Sequence, residues 1–319
     1  MGETAFIESL RALATDPAAR ALRDDAAVLE VGGATLVLTH DMIVEGVHYL
    51  PGDPPADVAW KLVAVNLSDL AAKGARPIGA LLGFTLGDAQ WDKQFADGLA
   101  AALAAFALPL LGGDTVSAPA RVLGLTAIGR AMGPVPSRTG ARPGDHLWVS
   151  GTIGDAGAGL RVLKGTLARS EALIERYRNP RPRLEAGERL APMVRAMMDV
   201  SDGLLIDAAR MAAASACGID IALDSVPLSD AFLAACGEAR LDAVTAGDDY
   251  ELLFAAAPER APALLALAEE LGLPFSRIGI CVAGAGLALS EGGAPVPLPP
   301  RLGFEHGAEG AGGPSGTNG

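Results

Sequence analysis

Asp199-Val-Ser-Asp-Gly203 sets two carboxylates three residues apart, beside a hydroxyl, immediately before a helix-like run from Leu204 to Ala216. Similar acidic punctuation recurs at Asp24-Asp25, Asp41, Ser68-Asp69, Gly113-Asp114 and Asp248-Asp249. Most of these sites fall at the edge of an apolar segment, where a strand or helix should begin or end. Read outward from Asp199, the chain is a series of strands and helices with acids at their ends, which places it in the α/β (α+β) class. Carboxylates gathered at element ends suit a hard cation such as Mg²⁺, and Mg²⁺ usually brings phosphates with it. The pattern therefore points to phosphate chemistry held by metals.

At 319 residues the chain is long enough for two domains of ordinary size and a sizeable core. It is 50% hydrophobic but only 4% aromatic, so close packing must come from small and aliphatic side chains. A formal charge of −13 disfavours a nucleic-acid partner, which needs a basic footprint. It would also repel a phosphorylated substrate unless metals or local arginines intervene. For most surface acids, solubility is explanation enough. Cys217, Cys236 and Cys281 are odd in number and form no Cys/His cluster, so zinc is not expected and a reducing cytoplasm is. Cys217 and Cys236 read as buried thiols. No signal peptide is evident. The uncharged stretch Gly98 to Gly113 contains Pro109 and falls short of the ~20 apolar residues of a membrane span. It reads as a buried helix running into a buried strand.

The first half reads strand, helix, strand, helix, strand, strand. Thr35–Thr39 is a strand ending at His40-Asp41. Pro55–Ala72 has helical apolar spacing after Pro54 and stops at Gly74. Ile78–Leu86 is a strand, Trp91–Phe106 a helix, Leu108–Leu111 a strand running into Gly112-Gly113-Asp114, and Arg121–Met132 a strand. Gly133-Pro134-Val135-Pro136 reads as a linker. The expected domains are residues 1–135 and 136–305, followed by a disordered Gly-rich tail, 306–319. The second domain alternates helices with strands at His146–Ser150, Ile219–Leu223, Glu251–Ala256 and Ile278–Val282. Asn179-Pro-Arg-Pro-Arg183 is a stiff basic turn.

A single Asp beside a strand end is most often a turn or cap residue. Asp69 differs, because it lies inside an apolar helix where a charge is costly unless paired or metal-bound. Ser201 or Asp202 would serve as an N-cap for the helix that follows, which leaves Asp199 unexplained. Gly112-Gly113-Asp114 has the look of a phosphate cradle. The chain has no Walker A sequence and no protein-kinase signature. None of its four His sits in a hydrolase context. His48, near Glu45, reads equally as a ligand contact or as a polar loop residue.

Taken together and in order, these pieces resemble the thiamine-monophosphate kinase family of the aminoimidazole ribonucleotide synthetase superfamily. The matching stretches are Asp24–Leu29, Thr39-His-Asp41, Glu45-Gly-Val-His48, Val65–Ala75, Gly112-Gly-Asp-Thr115, Ser137–Asp145, Met198–Gly203 and Gly247–Leu252. The match runs nearly to Phe304. The resemblance implies a homodimer whose N-terminal sheets pair, with ATP bound in a groove beside that interface. It implies Mg²⁺ ligation by Asp25, Asp41, Asp69, Asp114, Asp199 and Asp202, with Thr39 and His40 beside them. It implies ATP contacts at Gly113, Asp114, Arg138 and Ser201. It implies thiamine monophosphate contacts at His48, Asp248 and Phe304. Four residues depart from the family pattern. Arg23 stands where Gly is usual, His40 where Thr is, Asp248 where Glu is common, and Phe304 where Tyr or Trp is.

The chemistry fits the residues independently. A phosphate monoester, with its second pKa near 6, is already mostly ionised at neutral pH and needs no general base, so no catalytic base is expected. The barrier is repulsion between anions, which metals on an Asp cluster and a contact from Arg138 would relieve. Asp248 and Phe304 suit a flat cation such as thiazolium. The expected reaction is phosphoryl transfer from ATP to thiamine monophosphate. The alternatives are another ATP-using enzyme of the superfamily, such as aminoimidazole ribonucleotide synthetase, or a non-catalytic binder of nucleotide or thiamine phosphate.

Overall fold

The computed structural model describes residues 3–305, and the tail expected to be disordered lies outside them. After helix α1 (Glu3–Arg11), the first half contributes strands β1 (Ala27–Val31), β2 (Ala34–Val44), β3 (Ala75–Leu86), β4 (Leu110–Ser117) and β5 (Val122–Ala131). Helix α2 (Pro55–Ala72) precedes β3, and α3 (Ala89–Ala105) precedes β4. The strands form one sheet in the order β1-β2-β5-β3-β4, antiparallel except for the parallel β3–β4 pair.

The second half builds a seven-stranded sheet. Its strands are β6 (His146–Ser150), β7 (Ala196–Asp199), β8 (Gly218–Ala222), β9 (Leu252–Ala256), β10 (Phe275–Val282), β11 (Gly286–Glu291) and β12 (Ala294–Val296). Their order is β12-β11-β8-β10-β6-β9-β7. The helices here are α4 (Asp155–Leu163), α5 (Glu171–Arg178), α6 (Leu184–Leu190), α7 (Leu204–Ser215), α8 (Asp230–Cys236), α9 (Arg240–Thr245) and α10 (Ala261–Leu271). None of the described helices is long and apolar enough to cross a membrane.

Helix α2 explains how the two halves meet. It is apolar on nearly every side, and a helix of that kind must be covered all round. Leu62, Val63 and Leu67 pack with Phe84, Phe95, Leu123 and Leu125 under the first sheet. Each such fully buried aliphatic side chain stabilises by roughly 1.5–3 kcal/mol. At its C-terminal end, Ala71 and Ala72 pack instead with Leu190, Met197 and Leu252 of the second half. Gly187 of α6 makes that approach possible, because a Cβ there would lie 1.9 Å from the Ala71 carbonyl oxygen. The end of α5 and the basic turn after it also tie the halves together. Arg178 pairs with Asp53 at 2.8 Å, and the Trp60 indole donates to the Pro180 carbonyl at 3.0 Å.

Three sequence expectations change. Gly112-Gly113-Asp114 is not a turn but the interior of β4, where a Cβ on Gly113 would collide with the Leu82 carbonyl of β3 at 1.9 Å. Strand β4 is exposed along its length rather than buried, because it is a sheet edge. Cys236 is half-buried, whereas Cys217 and Cys281 are buried; all three thiols are unpaired.

Candidate active site

Strand alternation and one helix face bring the acids together. Along β2, Thr39 and Asp41 are offset by two residues and share a side of the strand. Asp69 comes from the last turn of α2, which packs under that sheet. Asp199 is the last residue of β7, at the edge of the second sheet. Asp25 lies just before β1. Carboxylate oxygens of Asp25, Asp69 and Asp199 all fall within 4.8 Å of one another.

Such crowding is costly for anions out of water. Burial, followed by the charges of Asp41, Asp199 and Asp25, pushes Asp69 well above the ordinary carboxylate range. Burial and Asp25 push Asp199 up to about 8, although a hydrogen bond from Ser68 opposes the shift. Burial, Asp202 and Asp25 raise Asp41 to about 6. Neutral ligands hold the geometry. The Ser68 hydroxyl donates to Asp199 at 2.6 Å, and Thr39 donates to Asp69. The Asp41 backbone N–H donates to the Asn66 side-chain oxygen at 2.9 Å.

Cations already stand at the rim. Lys73, fully buried after α2, pairs with Asp25 at 2.6 Å and also with Asp24. Arg138 donates through Nε to the other Asp25 oxygen at 2.6 Å. Burial alone would lower the Arg138 pKa, but Asp25, Asp207 and Asp199 raise it further above its ordinary value. Burial would likewise raise Asp24, but Lys73 and Arg20 hold it at about 2.

The opening motif is braced in an unexpected way. Helix α7 begins after Gly203 with no side-chain cap, so neither Ser201 nor Asp202 plays that part. Instead Asp207, in the first turn, reaches back. Its Oδ2 accepts from the backbone N–H groups of Ser201, Asp202 and Gly203 at 3.1, 3.1 and 3.3 Å. Arg210 then bridges Asp202 at 2.5 Å and Asp207 at 2.8 Å. Replacing Asp207 with Ala strips three N–H groups of their acceptor. The expected cost is about 1–3 kcal/mol of stability, read by urea denaturation, with a higher Mg²⁺ requirement as the loop bearing Asp202 loosens.

A second group lies across the seam between the halves. The Lys61 ammonium donates to the Asp248 carboxylate at 2.8 Å and to the His48 carbonyl at 2.9 Å. The His48 Nδ1 accepts from the Val44 N–H at 3.0 Å. The Asp248 N–H donates to the Ser201 carbonyl at 2.7 Å, and the Phe304 N–H to the Asp202 carbonyl at 2.9 Å. His48, Asp248 and Phe304 are thereby tied to the seam and to the loop at Ser201-Asp202.

The structure thus gathers Asp25, Asp69 and Asp199, with Thr39 bonded to Asp69 and Arg138 to Asp25, and Asp41 and Asp202 close enough to shift neighbouring acids. It does not bring His40 there. His40 lies on the opposite side of β2 from Thr39 and Asp41, is exposed, and pairs with Thr126 Oγ1 at 2.9 Å on β5. Gly113 and Asp114 sit on the exposed edge strand β4, apart from the triangle. Sequence reasoning missed Lys61, Lys73 and Asp207. The signal was present for all three, since charges within or bordering apolar helices demand the same explanation as Asp69.

Comparison with known proteins places the chain in a family. The family model described as AIR synthase related protein, N-terminal domain, matches residues 23–131, and the corresponding C-terminal domain model matches residues 142–291. A thiamine-monophosphate kinase of Caulobacter vibrioides is 42% identical over 305 residues, covering 92% of this chain and 86% of its own. One from Salmonella typhimurium is 39% identical over 298 residues, covering 89% of this chain and 90% of its own. A solved complex of AaThiL with AMPPCP and TMP superposes with a TM-score of 0.84 at 29% identity, covering 96% of this chain and 97% of its own. The thiamine-monophosphate kinase structure from Stenotrophomonas maltophilia K279a gives 0.76 at 38% identity, covering 91% and 95%.

Proposed function

The chain belongs to the thiamine-monophosphate kinase family of AIR synthase related proteins, and on that premise we propose that it transfers the γ-phosphoryl group of ATP to thiamine monophosphate, giving thiamine diphosphate and ADP. The observation that carries this reading is the carboxylate triangle built from both halves of the chain. Three acids crowded together, two of them pushed up by burial and by neighbouring carboxylates, are a poor structural device and a good cation site. Mg²⁺ fits this set of donors: all are hard oxygens, and the charges lack enough local cations to balance them. Asp25, Asp69 and Asp199 would hold it, with Asp41 and Asp202 alongside. When bound, Mg²⁺ supplies charge neutralisation for the phosphate oxygens.

The chain's own residues do the rest. Arg138 has a planar fork of donors suited to phosphate oxygens. Asp248 and Phe304 face the demands of a cationic ring on the other side of the Ser201-Asp202 loop. No general base is needed, because the attacking oxygen belongs to an ionised phosphate. We place the domain boundary between residues 135 and 136, in the segment between β5 and β6. A homodimer through the first sheet is supported by the exposed apolar side chains Met42, Leu81, Leu111 and Val116. Light scattering tests it. The three unpaired thiols suit the cytoplasm.

A coupled ADP-release assay tests the reaction. ADP is expected with thiamine monophosphate and not with an aminoimidazole precursor. ADP with the precursor alone would assign a sister reaction, and binding without ADP would make the chain a binder.

The pH dependence of metal binding follows from the raised acids. Asp199, held at about 8, keeps its proton in the metal-free fold at neutral pH, whereas the unfolded chain has lost it. The folded state therefore binds more protons between about pH 4 and 8, and its stability falls as pH rises through that window. Mg²⁺ must displace that proton. Apparent Mg²⁺ affinity should thus rise from pH 6.5 to 8.5, by up to about tenfold per pH unit for each proton released. Calorimetric titration at the two pH values checks the direction; affinity that is flat or falls with pH contradicts it.

A further inference from the structure

Lys61 is a charge buried in the seam, and the metal chemistry does not use it. It sits in α2 at 2% exposure, surrounded by apolar helix, where an ammonium ion is costly unless its donors are satisfied. Three partners from three segments satisfy it. Its Nζ reaches the Asp248 carboxylate of the second half at 2.8 Å and the His48 carbonyl of the first half at 2.9 Å. It also stands 3.9 Å above the ring centroid of Tyr177 on α5, whose own hydroxyl donates to the same His48 carbonyl at 3.4 Å.

The segment that Lys61 grips is strained. Asp248 has φ 71° and Tyr250 φ 50°, left-handed values that non-glycine residues adopt only when their surroundings impose them. The surroundings do so at each residue. Asp248 is held by Lys61 and by the Tyr250 hydroxyl at 3.1 Å. The Asp249 carboxylate accepts the Gly154 N–H through both oxygens, at 3.0 and 2.9 Å. Glu251 is fixed by Ser150 at 2.6 Å and Arg176 at 2.9 Å. Among these hydrogen bonds, that of Lys61 is the one that comes from the first half, where the Tyr250 ring also packs into the core.

We propose that Lys61 is a positioning residue for the acceptor: it spans the seam to aim the Asp248 carboxylate, and the His48 loop with it, at the cationic ring of thiamine monophosphate. This rests on the reading of Asp248 as an acceptor contact. A residue that works through Asp248 should be silent once Asp248 has lost its charge.

The test is a double-mutant cycle in the full-length protein: Lys61→Met, Asp248→Asn and the pair, with steady-state constants for thiamine monophosphate and for ATP. Each single change should raise KM for thiamine monophosphate by about tenfold to a hundredfold, the scale of losing an orienting partner. Both kcat and KM for ATP should stay within roughly threefold. The double variant should be no more than about twofold worse than the worse single one. Effects that multiply, or an unchanged KM in Lys61→Met beside a raised KM in Asp248→Asn, would overturn the role of Lys61. An unchanged KM in Asp248→Asn would overturn the acceptor assignment and this proposal with it. If Lys61→Met does not fold, Lys61→Gln, which keeps a neutral donor to the His48 carbonyl, carries the same cycle with the same expected non-additivity.

Discussion

Asp199→Asn is expected to lower turnover of thiamine monophosphate by roughly two to three orders of magnitude while raising the melting temperature of the metal-free protein. The opposed signs come from one geometry. Asp199 is 2% exposed, and its oxygens lie within 4.8 Å of those of Asp25 and Asp69. An amide keeps the shape and can still accept the Ser68 hydroxyl. It removes the cost of carrying a proton into the fold, and above about pH 8 it also removes a charge that would raise the neighbouring acids. The metal-free variant should therefore also lose part of the wild-type decline in stability between about pH 4 and 8. Loss of a metal-ligating carboxylate should exceed the roughly 10–100-fold typical of outer partners. Kinetics at graded Mg²⁺, together with melts in chelator, read both signs. Near-normal turnover at low Mg²⁺ would remove Asp199 from the metal site.

Lys73→Met is the second large effect, and it falls on stability. Lys73 is fully buried and pairs with both Asp24 and Asp25, whose side chains are also almost wholly buried. Removing one partner from a buried ion cluster leaves uncompensated charge and costs roughly 3–5 kcal/mol. For a chain of this size that is a fall in melting temperature on the order of 10 °C. Two changes should restore part of the loss. Asp24→Asn in the same chain removes a stranded charge, and excess Mg²⁺ supplies a cation to Asp25. A drop that neither change relieves would mean that Lys73 acts through packing rather than charge.

Much of the site could be read in the sequence because its acids break apolar patterns. Asp69 stands out inside Pro55–Ala72, and that helix has those bounds in the structure, starting after Pro54 and ending before Lys73-Gly74. Asp199 stands out because no cap needs it. What escaped was directional or long-range. His40 adjoins Asp41 in sequence, yet the two-residue period of a strand turns it to the other side. Asp114 follows two glycines that suggest a loop, yet Gly113 serves the close approach of β4 to β3. Strand β1 is apolar except for Glu30, but at 5 residues it is too short to show a period. Asp207 lies in the first turn of its helix, and only the fold shows it reaching back to the three N–H groups before that helix. Lys61 and Asp248 are far apart in the chain, and nothing local marks them as partners.

Product analysis tests the central claim most directly. The protein is incubated with γ-labelled ATP, thiamine monophosphate and Mg²⁺, and the label is followed by chromatography. The carboxylate site described here predicts one labelled thiamine diphosphate for each ADP formed, no label retained on the protein, and loss of both products when Mg²⁺ is chelated. Label released as orthophosphate without thiamine diphosphate, or full transfer in the presence of chelator, would contradict it.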